Sequence, residues 1–199
     1  MTRLLPTKAN LLAAKRRRTL AQSGALLLDK KQAILSQKRT AYLEKAHALQ
    51  SQMGPLFSEA YAALERANIA LGQCDQWAEA IEPDRGLTLR FYSVMGIELP
   101  SLGAKQKEPT LSYGFTGTDS TLDEALICFH RVKTHLRELA QAENTLYRLN
   151  QAIDKTGRRA RALNRALIPE LDRNIRLIEE ILAQREQEAF LRQKRIKSE

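Results

Sequence analysis

Apolar residues recur in pairs seven residues apart along the first part of this 199-residue chain. The pairs are Leu27/Leu28, Ile34/Leu35, Ala41/Tyr42 and Ala48/Leu49. A seven-residue repeat keeps a narrow apolar stripe on one face of an α-helix, as in a coiled coil. We therefore predict a long N-terminal helix within residues 1–83, which begins at Pro6-Thr7 and ends at Pro83. Gly54-Pro55 predicts a break or kink, because proline removes a backbone donor and clashes with the preceding turn.

A second apolar stripe begins near Thr118 and continues almost to the C-terminus. Its members step mostly by three and four residues and are Phe129, Val132, Leu136, Leu139, Leu146, Ile153, Ile168, Leu171, Ile175, Ile178 and Leu182. The two halves of this stripe differ in register by one position, and the slip lies between Gly157 and Pro169. Such a slip locally changes the winding of a coiled coil. The predicted second helix covers residues 118–199, and the predicted seam consists of Leu27, Ile34, Leu136, Leu139, Ile168, Leu171, Ile175, Ile178 and Leu182.

The middle of the chain, residues 84–117, has a different period. Leu87, Leu89 and Phe91 alternate with more polar residues, and Leu111, Tyr113 and Phe115 do the same. Alternation with period two predicts two short β-strands. We expect the loop between them at residues 100–109. A lone hairpin is marginally stable in water, so it should pack on a helix or on a partner.

Together these patterns predict a mainly α fold, in which two long helices form an antiparallel coiled coil around a short β-hairpin insert. Each arm of about 75 helical residues would extend roughly 110 Å at 1.5 Å per residue. The domain boundaries would then be residues 1–83, 84–117 and 118–199 of one elongated unit. The alternative is a compact bundle, with helix breaks at Gly54, Gly72 and Gly157.

The positive charge of the chain is concentrated at its N-terminal end. The chain carries 32 Lys and Arg against 23 Asp and Glu, a formal net charge of +9. Residues 1–45 contain 11 of the basic and 2 of the acidic side chains, so this segment accounts for the whole excess. Its densest part is Lys15-Arg16-Arg17-Arg18. Three interpretations stay open at this point: a solvated helix face, a contact to nucleic-acid phosphates, or docking into an acidic protein cavity.

Several classes of protein are excluded by what the sequence lacks. Cys74 and Cys128 cannot build a disulfide framework, so we expect a reduced, intracellular protein. No apolar run approaches the roughly 20 residues of a membrane span, and the N-terminus lacks the apolar region of a secretory signal. The histidines, His47, His130 and His135, are not spaced to share a helix face, and there is no glycine-rich phosphate loop. We therefore predict no catalytic residues, no cofactor and no metal.

Short motifs along the chain resemble those of one protein family. In chain order they are Pro6-Thr7-Lys8, Lys15–Leu20, Gly24–Lys31, Val94–Pro100, Tyr113–Phe115, Leu122–Ala125, Arg158–Leu163, Ile168–Leu171 and Arg185–Phe190. In this order, and over nearly the full chain, they resemble the D subunit of the V-type and A-type rotary ATPases (ATP synthases). The resemblance places Val94, Met95 and Gly96 in a strand of the family's hairpin, and Tyr113-Gly114-Phe115 in its return strand.

The resemblance also implies a function. The D subunit of that family is the central-stalk rotor, a non-catalytic shaft that couples ATP synthesis or hydrolysis to proton or sodium translocation. It implies as partners the A and B subunits of the catalytic ring, the F subunit of the central stalk, and a socket subunit of the C/d type above the membrane ring. It further implies a cytoplasmic location peripheral to the membrane, with no nucleic-acid partner and no direct membrane insertion.

The basic residues of both chain ends are the expected rotor–stator contacts on this interpretation. They are Lys15, Arg16, Arg17, Arg18, Arg192, Lys194, Arg195 and Lys197. Weak electrostatic contacts would allow these basic residues to move past successive catalytic interfaces without binding tightly to any one of them. The alternatives are a free-standing coiled-coil tether and a basic nucleic-acid-binding coiled coil.

Overall fold

A computed structural model describes residues 5–72, 74, 77, 79, 86–104, 113–114 and 117–198. In chain order the elements are helix α1 (Lys8–Leu71), strand β1 (Leu87–Val94), strand β2 (Ile97–Ala104), helix α2 (Ser120–Ala162), a π-helical segment (Leu163–Leu167) and helix α3 (Ile168–Ser198). The predicted fold class is therefore confirmed: two long helical arms flank a two-stranded antiparallel hairpin.

Helix α1 begins where the sequence predicts and ends earlier. The Thr7 hydroxyl accepts a hydrogen bond from the Asn10 N–H at 3.2 Å, as an N-cap residue does. At the other end, Gly72 has a φ of 82°, and its N–H donates to the Asn68 carbonyl at 3.0 Å. A left-handed glycine with this bond terminates a helix. The predicted end at Pro83 is thus wrong, and α1 ends at Leu71.

Helix α1 runs through Pro55 without a break. The proline leaves the carbonyl of Ser51 without its helical donor, but Ser51 is exposed, so water can satisfy that carbonyl. Met53 and Ala60, on either side of the proline, are both buried in one apolar cluster. The predicted break at Gly54-Pro55 is therefore wrong, since both the helix and its buried face continue across these two residues.

By its contacts the chain divides into two compact units. The terminal unit comprises Met1–Leu35 and Ile153–Glu199, and the central unit comprises Ser36–Ala152. The two arms of the terminal unit are antiparallel, since Lys8 pairs with Glu186 and Arg18 with Asp172. The core of the terminal unit is rich in small residues and consists of Ala14, Ala21, Ala25, Leu35, Ile153, Ala160, Ile175 and Ile178.

The central unit has its core between α1 and α2. Buried residues from both helices form its apolar clusters, which include Ala46, Leu49, Met53, Ala60 and Ala63 of α1 and Ala125, Cys128, Val132 and Ala142 of α2. At the end of α1, Ala67, Cys74 and Leu122 are buried together, and Trp77 packs against them. Trp77 thus lies near the end of the first helix.

Three of the predicted seam residues are on the wrong face. Leu27 is 65% exposed, Ile34 is 37% exposed and Leu136 is 48% exposed, whereas Leu35 is fully buried. In α1 the second member of each apolar pair is the more buried one, and one residue is a rotation of about 100°. The remaining predicted seam residues do face the core: Ile175 and Ile178 are buried, and Leu139, Ile168, Leu171 and Leu182 are half-buried.

The register slip predicted between Gly157 and Pro169 is confirmed. It coincides with the π-helical segment Leu163–Leu167, hereafter the π segment. The Ile168 N–H donates to the Leu163 carbonyl, five residues back instead of four. A π turn inserts one residue into a helix, and one residue is the size of the slip.

The hairpin is confirmed, but its second strand was predicted too late in the chain. β1 pairs with residues 97–104 through a tight turn at Met95 (φ 53°) and Gly96 (φ 75°), which are therefore turn residues and not strand residues. The predicted loop at Pro100–Gly103 is part of β2. Pro100 is tolerated because it lies opposite Phe91 in a non-hydrogen-bonded pair, so no ladder bond is lost.

The predicted return strand around Tyr113 is wrong where it can be judged. Tyr113 lies in a bend, and its hydroxyl donates to the Asp123 carboxylate at 2.6 Å. This contact ties the bend to the first turn of α2, next to the apolar cluster at the end of α1. Leu111 and Phe115, also predicted as hairpin residues, lie outside the described residues.

Candidate functional site

A row of ion pairs crosses the terminal unit from α1 to α3. Lys8 Nζ lies 2.8 Å from Glu186, Lys15 Nζ lies 2.6 Å from Glu179, and Arg18 Nε lies 2.5 Å from Asp172. Proximity to Glu186 raises the pKa of Lys8, and Lys8 in turn lowers the pKa of Glu186. Two of the predicted rotor–stator contacts, Lys15 and Arg18, are thus engaged within the chain.

Arg16 and Arg17 lie between those two paired residues and behave differently. Both are exposed, and neither forms an ion pair with any of the residues that the structure describes. Large apolar side chains are exposed nearby on the same helix, including Leu12 at 52% and Leu20 at 74%. This part of α1 therefore presents two guanidinium groups among exposed leucines, a mixture typical of a protein contact surface.

The predicted cations at the C-terminal end divide in a similar way. Arg192 lies 3.8 Å from Glu188, one turn earlier on α3. Arg195 also takes part in an interaction within the chain. Lys194 and Lys197 are exposed. The same helix end exposes Phe190, Leu191 and Ile196, each by more than 60%.

The hairpin of the central unit is held by side chains from α1 and α2. Gln141 Oε1 accepts a hydrogen bond from the Leu102 N–H at 3.1 Å, and Arg148 donates to the Glu98 carbonyl at 3.0 Å. Both backbone groups belong to the edge of β2 that faces away from β1. Gln141 and Arg148 are seven residues apart, so they lie on one face of α2. Their side chains form hydrogen bonds to backbone groups at this edge of the sheet, which would otherwise have no partner.

On the other strand, the contact to α1 is a pair of tyrosines. The hydroxyls of Tyr42 and Tyr92 are 2.7 Å apart. Partial burial, followed by this hydrogen bond, raises the pKa of Tyr92 to about 12. Leu99, opposite Tyr92, is fully buried, so this face of the hairpin rests on the helices.

The other face of β1 is partly exposed, although Arg148 of α2 lies over the Phe91 ring. Leu87, Leu89 and Phe91 are each about half exposed, at 50%, 56% and 49%. They occupy alternate positions and so share one face of the strand. The predicted hairpin residues Leu87, Leu89 and Phe91 thus lie on β1. Their partly exposed apolar side chains form a small surface.

Metal ligation and membrane crossing can both be judged for the part of the chain that the structure describes. No three His, Cys, Asp or Glu side chains there converge in a way that could hold a metal ion. No described helix is long and apolar enough to cross a membrane.

Comparison with known proteins decides the family. The profile of the family described as the ATP synthase D subunit matches residues 10–198. The chain belongs to the ATP synthase D subunit family. The V-type ATP synthase D subunit of Thermotoga neapolitana is 33% identical over 194 residues, which cover 96% of each chain. The A-type ATP synthase D subunit of Pyrococcus horikoshii is 32% identical over 201 residues, 98% of this chain and 94% of its own. The relative from Thermococcus sibiricus, of the same A-type description, is 31% identical and spans all of this chain.

Membership in the D subunit family confirms the resemblance seen in the sequence motifs. The matched region includes both helical arms, the hairpin and the π segment. Sequence reasoning missed the residues that hold the hairpin, because Gln141 and Arg148 look like ordinary solvent-facing positions of a helix. It also missed the ion-pair partners Asp172, Glu179 and Glu186. Their spacing by seven residues was an available signal, since it matches a row along one helix flank.

Proposed function

We propose that this D subunit is the central shaft of a V-type or A-type rotary ATP synthase and that it has no active site of its own. The observation that carries the proposal is the match to the D subunit family over residues 10–198. In this role the shaft links the A and B subunits of the catalytic ring to a socket subunit above the membrane ring, with the F subunit bound at its side. The shaft would thus work at the membrane surface as part of the complex, during ATP synthesis or hydrolysis coupled to ion translocation.

The physical demand on such a shaft is that its two arms do not slide past each other. One charge crossing 100 mV supplies only about 2.3 kcal/mol, so several ion steps must be summed through the shaft for each ATP. The antiparallel arms of the terminal unit are tied by three ion pairs, and Arg185 also donates to the Pro6 carbonyl at 3.1 Å. These contacts support the proposal because they oppose relative sliding.

The contacts within the chain also refine which cations would face the catalytic ring. Lys15 and Arg18 are directed to carboxylates of α3, whereas Arg16 and Arg17 are exposed without an ion-pair partner among the described residues. We assign the contact role to Arg16 and Arg17, with Lys194 and Lys197 at the other chain end. Charged groups at such a surface guide orientation and exclude wrong partners more than they add affinity.

The test is ATP-driven ion pumping by a reconstituted complex that carries Arg16→Glu and Arg17→Glu together. We expect assembly or coupling to be impaired. The matched control is the charge-preserving pair Arg16→Lys and Arg17→Lys, which should pump nearly as the unmodified complex does. Unchanged ATPase activity and pumping in the Glu variant would refute the contact role. Affinity purification of the tagged chain should recover the A, B and F subunits, and their absence would refute the proposed function itself.

A further inference from the structure

The seam of the C-terminal arm changes register at one place in the terminal unit. Core-facing positions step by three from Ala160 to Leu163 and again by three from Ile168 to Leu171. Between Leu163 and Ile168 the step is five. The Ile168 N–H closes this larger turn by donating to the Leu163 carbonyl. The C-terminal arm therefore carries one residue more than a continuous seam requires.

A proline does not by itself require an extra residue in this chain. Pro169 follows the π segment, and a proline in a helix clashes with the carbonyl four residues before it. Pro55, however, lies inside α1, which continues as an α-helix around it. The chain therefore accommodates one helical proline without a π turn. The π segment absorbs the register slip of the seam, and Pro169 follows shortly after it.

The π segment itself is loosely packed, whereas Ala21 and Ala25 of α1 are buried. None of its five residues is buried, and Leu167 is 40% exposed. On α1, an added Cβ at Gly24 would meet only the Leu163 Cδ1, at an ordinary distance of 3.9 Å. The buried residues resume on either side, with Ala160 at 2% exposure and Ile175 at 8%. Between Ala160 and Ile175 the C-terminal arm is thus loosely packed, and on either side of this range it is well packed. We call residues 161–174 the window.

We propose that the π segment is a migrating joint, in which the extra residue shifts along the helix between Ala160 and Ile175. Each shift exchanges one hydrogen bond to the fifth preceding residue for one to the fourth, and rotates one residue by about 100°. Inside the window this rotation turns only half-buried or exposed side chains. Beyond it, the rotation would expose Ala160 or Ile175, so the joint is confined.

A shift of the joint would change the twist of the C-terminal arm between Ala160 and Ile175, while the buried residues on either side stay packed. Its use in a rotating shaft rests on the proposed function, whereas the migration of the extra residue does not. The test is therefore made on the full isolated chain. Amide hydrogen exchange reports such local opening directly.

The decisive variant is deletion of Arg165. After the deletion, the apolar positions derived from Leu163, Ile168, Leu171, Ile175 and Ile178 step by four, three, four and three, so the seam is continuous. The matched control is Arg165→Ala, which removes the same side chain and keeps the extra residue. In the unmodified chain and in the control, we expect amides of residues 164–168 to exchange at least about tenfold faster than those of residues 153–160 and 175–178, which lie outside the range of the joint. In the deletion variant this difference should disappear.

Equal protection across residues 153–178 in the unmodified chain would overturn the proposal. Fast exchange at residues 164–168 that persists after the deletion would overturn it as well, because the extra residue would not be its cause. Deletion of Asn164 yields the same continuous register and serves as a second variant. If both deletion variants fail to fold while Arg165→Ala folds, the continuous register cannot pack, and the proposal is again wrong.

Discussion

Arg148 lies over the ring of Phe91, with its guanidinium carbon 5.1 Å from the ring centroid. The same side chain donates to the Glu98 carbonyl, so one residue of α2 touches both strands of the hairpin. A cation over an aromatic face contributes about 0.5–1 kcal/mol at an exposed site. A hydrogen bond adds about as much again. Arg148 therefore helps to fix the position of both strands of the hairpin.

Arg148→Ala should loosen the hairpin without unfolding the helices. We expect a loss of about 1–2 kcal/mol in the local opening free energy of β2, because the cation–aromatic contact and the hydrogen bond are both removed. Hydrogen exchange of the amides of residues 97–103 measures that loss. Glu143→Ala, at an exposed position of the same helix, is the control. Unchanged exchange in β2 would show that Arg148 does not hold the hairpin.

Replacement of residues 87–104 by a short flexible linker tests what the hairpin does in the complex. If the exposed apolar face of Leu87, Leu89 and Phe91 modulates the catalytic ring, the ATPase rate should change while the stalk still assembles. Native gel analysis of the complex, alongside the ATPase assay, separates the two effects. Loss of assembly would assign the hairpin a structural role instead.

The ion pair between Lys15 and Glu179 is open to a charge-swap experiment. Lys15→Glu alone places two carboxylates together and should destabilise the chain, whereas Lys15→Glu with Glu179→Lys should restore most of the loss. Both side chains are about half exposed, so the coupling energy should be only about 0.2–1 kcal/mol. Denaturant unfolding of the four forms of the double-mutant cycle measures it. A coupling of zero would mean that the pair does not help to hold the arms.

Alanine substitutions at two neighbouring residues of α1 test which face of the helix is buried. Leu35→Ala should cost about 2–5 kcal/mol, because Leu35 is fully buried. Ile34→Ala should cost well below that, since Ile34 is 37% exposed. The free energies of unfolding of the two variants, measured under identical conditions, give the answer. Equal losses would place the seam between the two residues and contradict the observed burial.

Alkaline titration should reveal the raised pKa of Tyr92. Its pKa is raised to about 12 by burial and by the Tyr42 hydroxyl, so the neutral phenol is favoured in the folded chain. The associated stability is fully present below pH 10 and is lost as the pH rises toward about 12. Ultraviolet difference spectra of the unmodified chain and of Tyr92→Phe isolate this ionisation. A Tyr92 pKa near 10 in the folded chain would contradict the contact with Tyr42.

The sequence was a good guide to the helices and a poorer one to which side of each helix is buried. The heptad repeat, the Thr7 cap and the one-residue slip are all local signals, and each corresponds to an observed feature. The face of α1 could not be chosen from Leu27/Leu28 or Ile34/Leu35, because both members of each pair are large and apolar. The buried alanines of α1 decide it, and alanine carries little weight in a hydrophobic pattern.

The second strand was obscured for a different reason. β2 contains Pro100 and Gly103, two residues that usually signal a loop. Gly103 leaves room for Thr88 there, since an added Cβ would lie 2.7 Å from Thr88 Oγ1 and that side chain would have to move. The proline is harmless in a non-hydrogen-bonded pair. Only the partner strand makes either residue compatible with a sheet, and a partner is not visible in a local pattern.

The buried alanines Ala14, Ala21, Ala25 and Ala160 change which substitutions destabilise this core. A core of large side chains is damaged chiefly by truncation, which leaves a cavity. Alanine side chains hold almost no volume to remove, so the damaging substitutions are those that add atoms and push the helices apart. Mutational tolerance in the terminal unit should therefore be set by an upper limit on side-chain size.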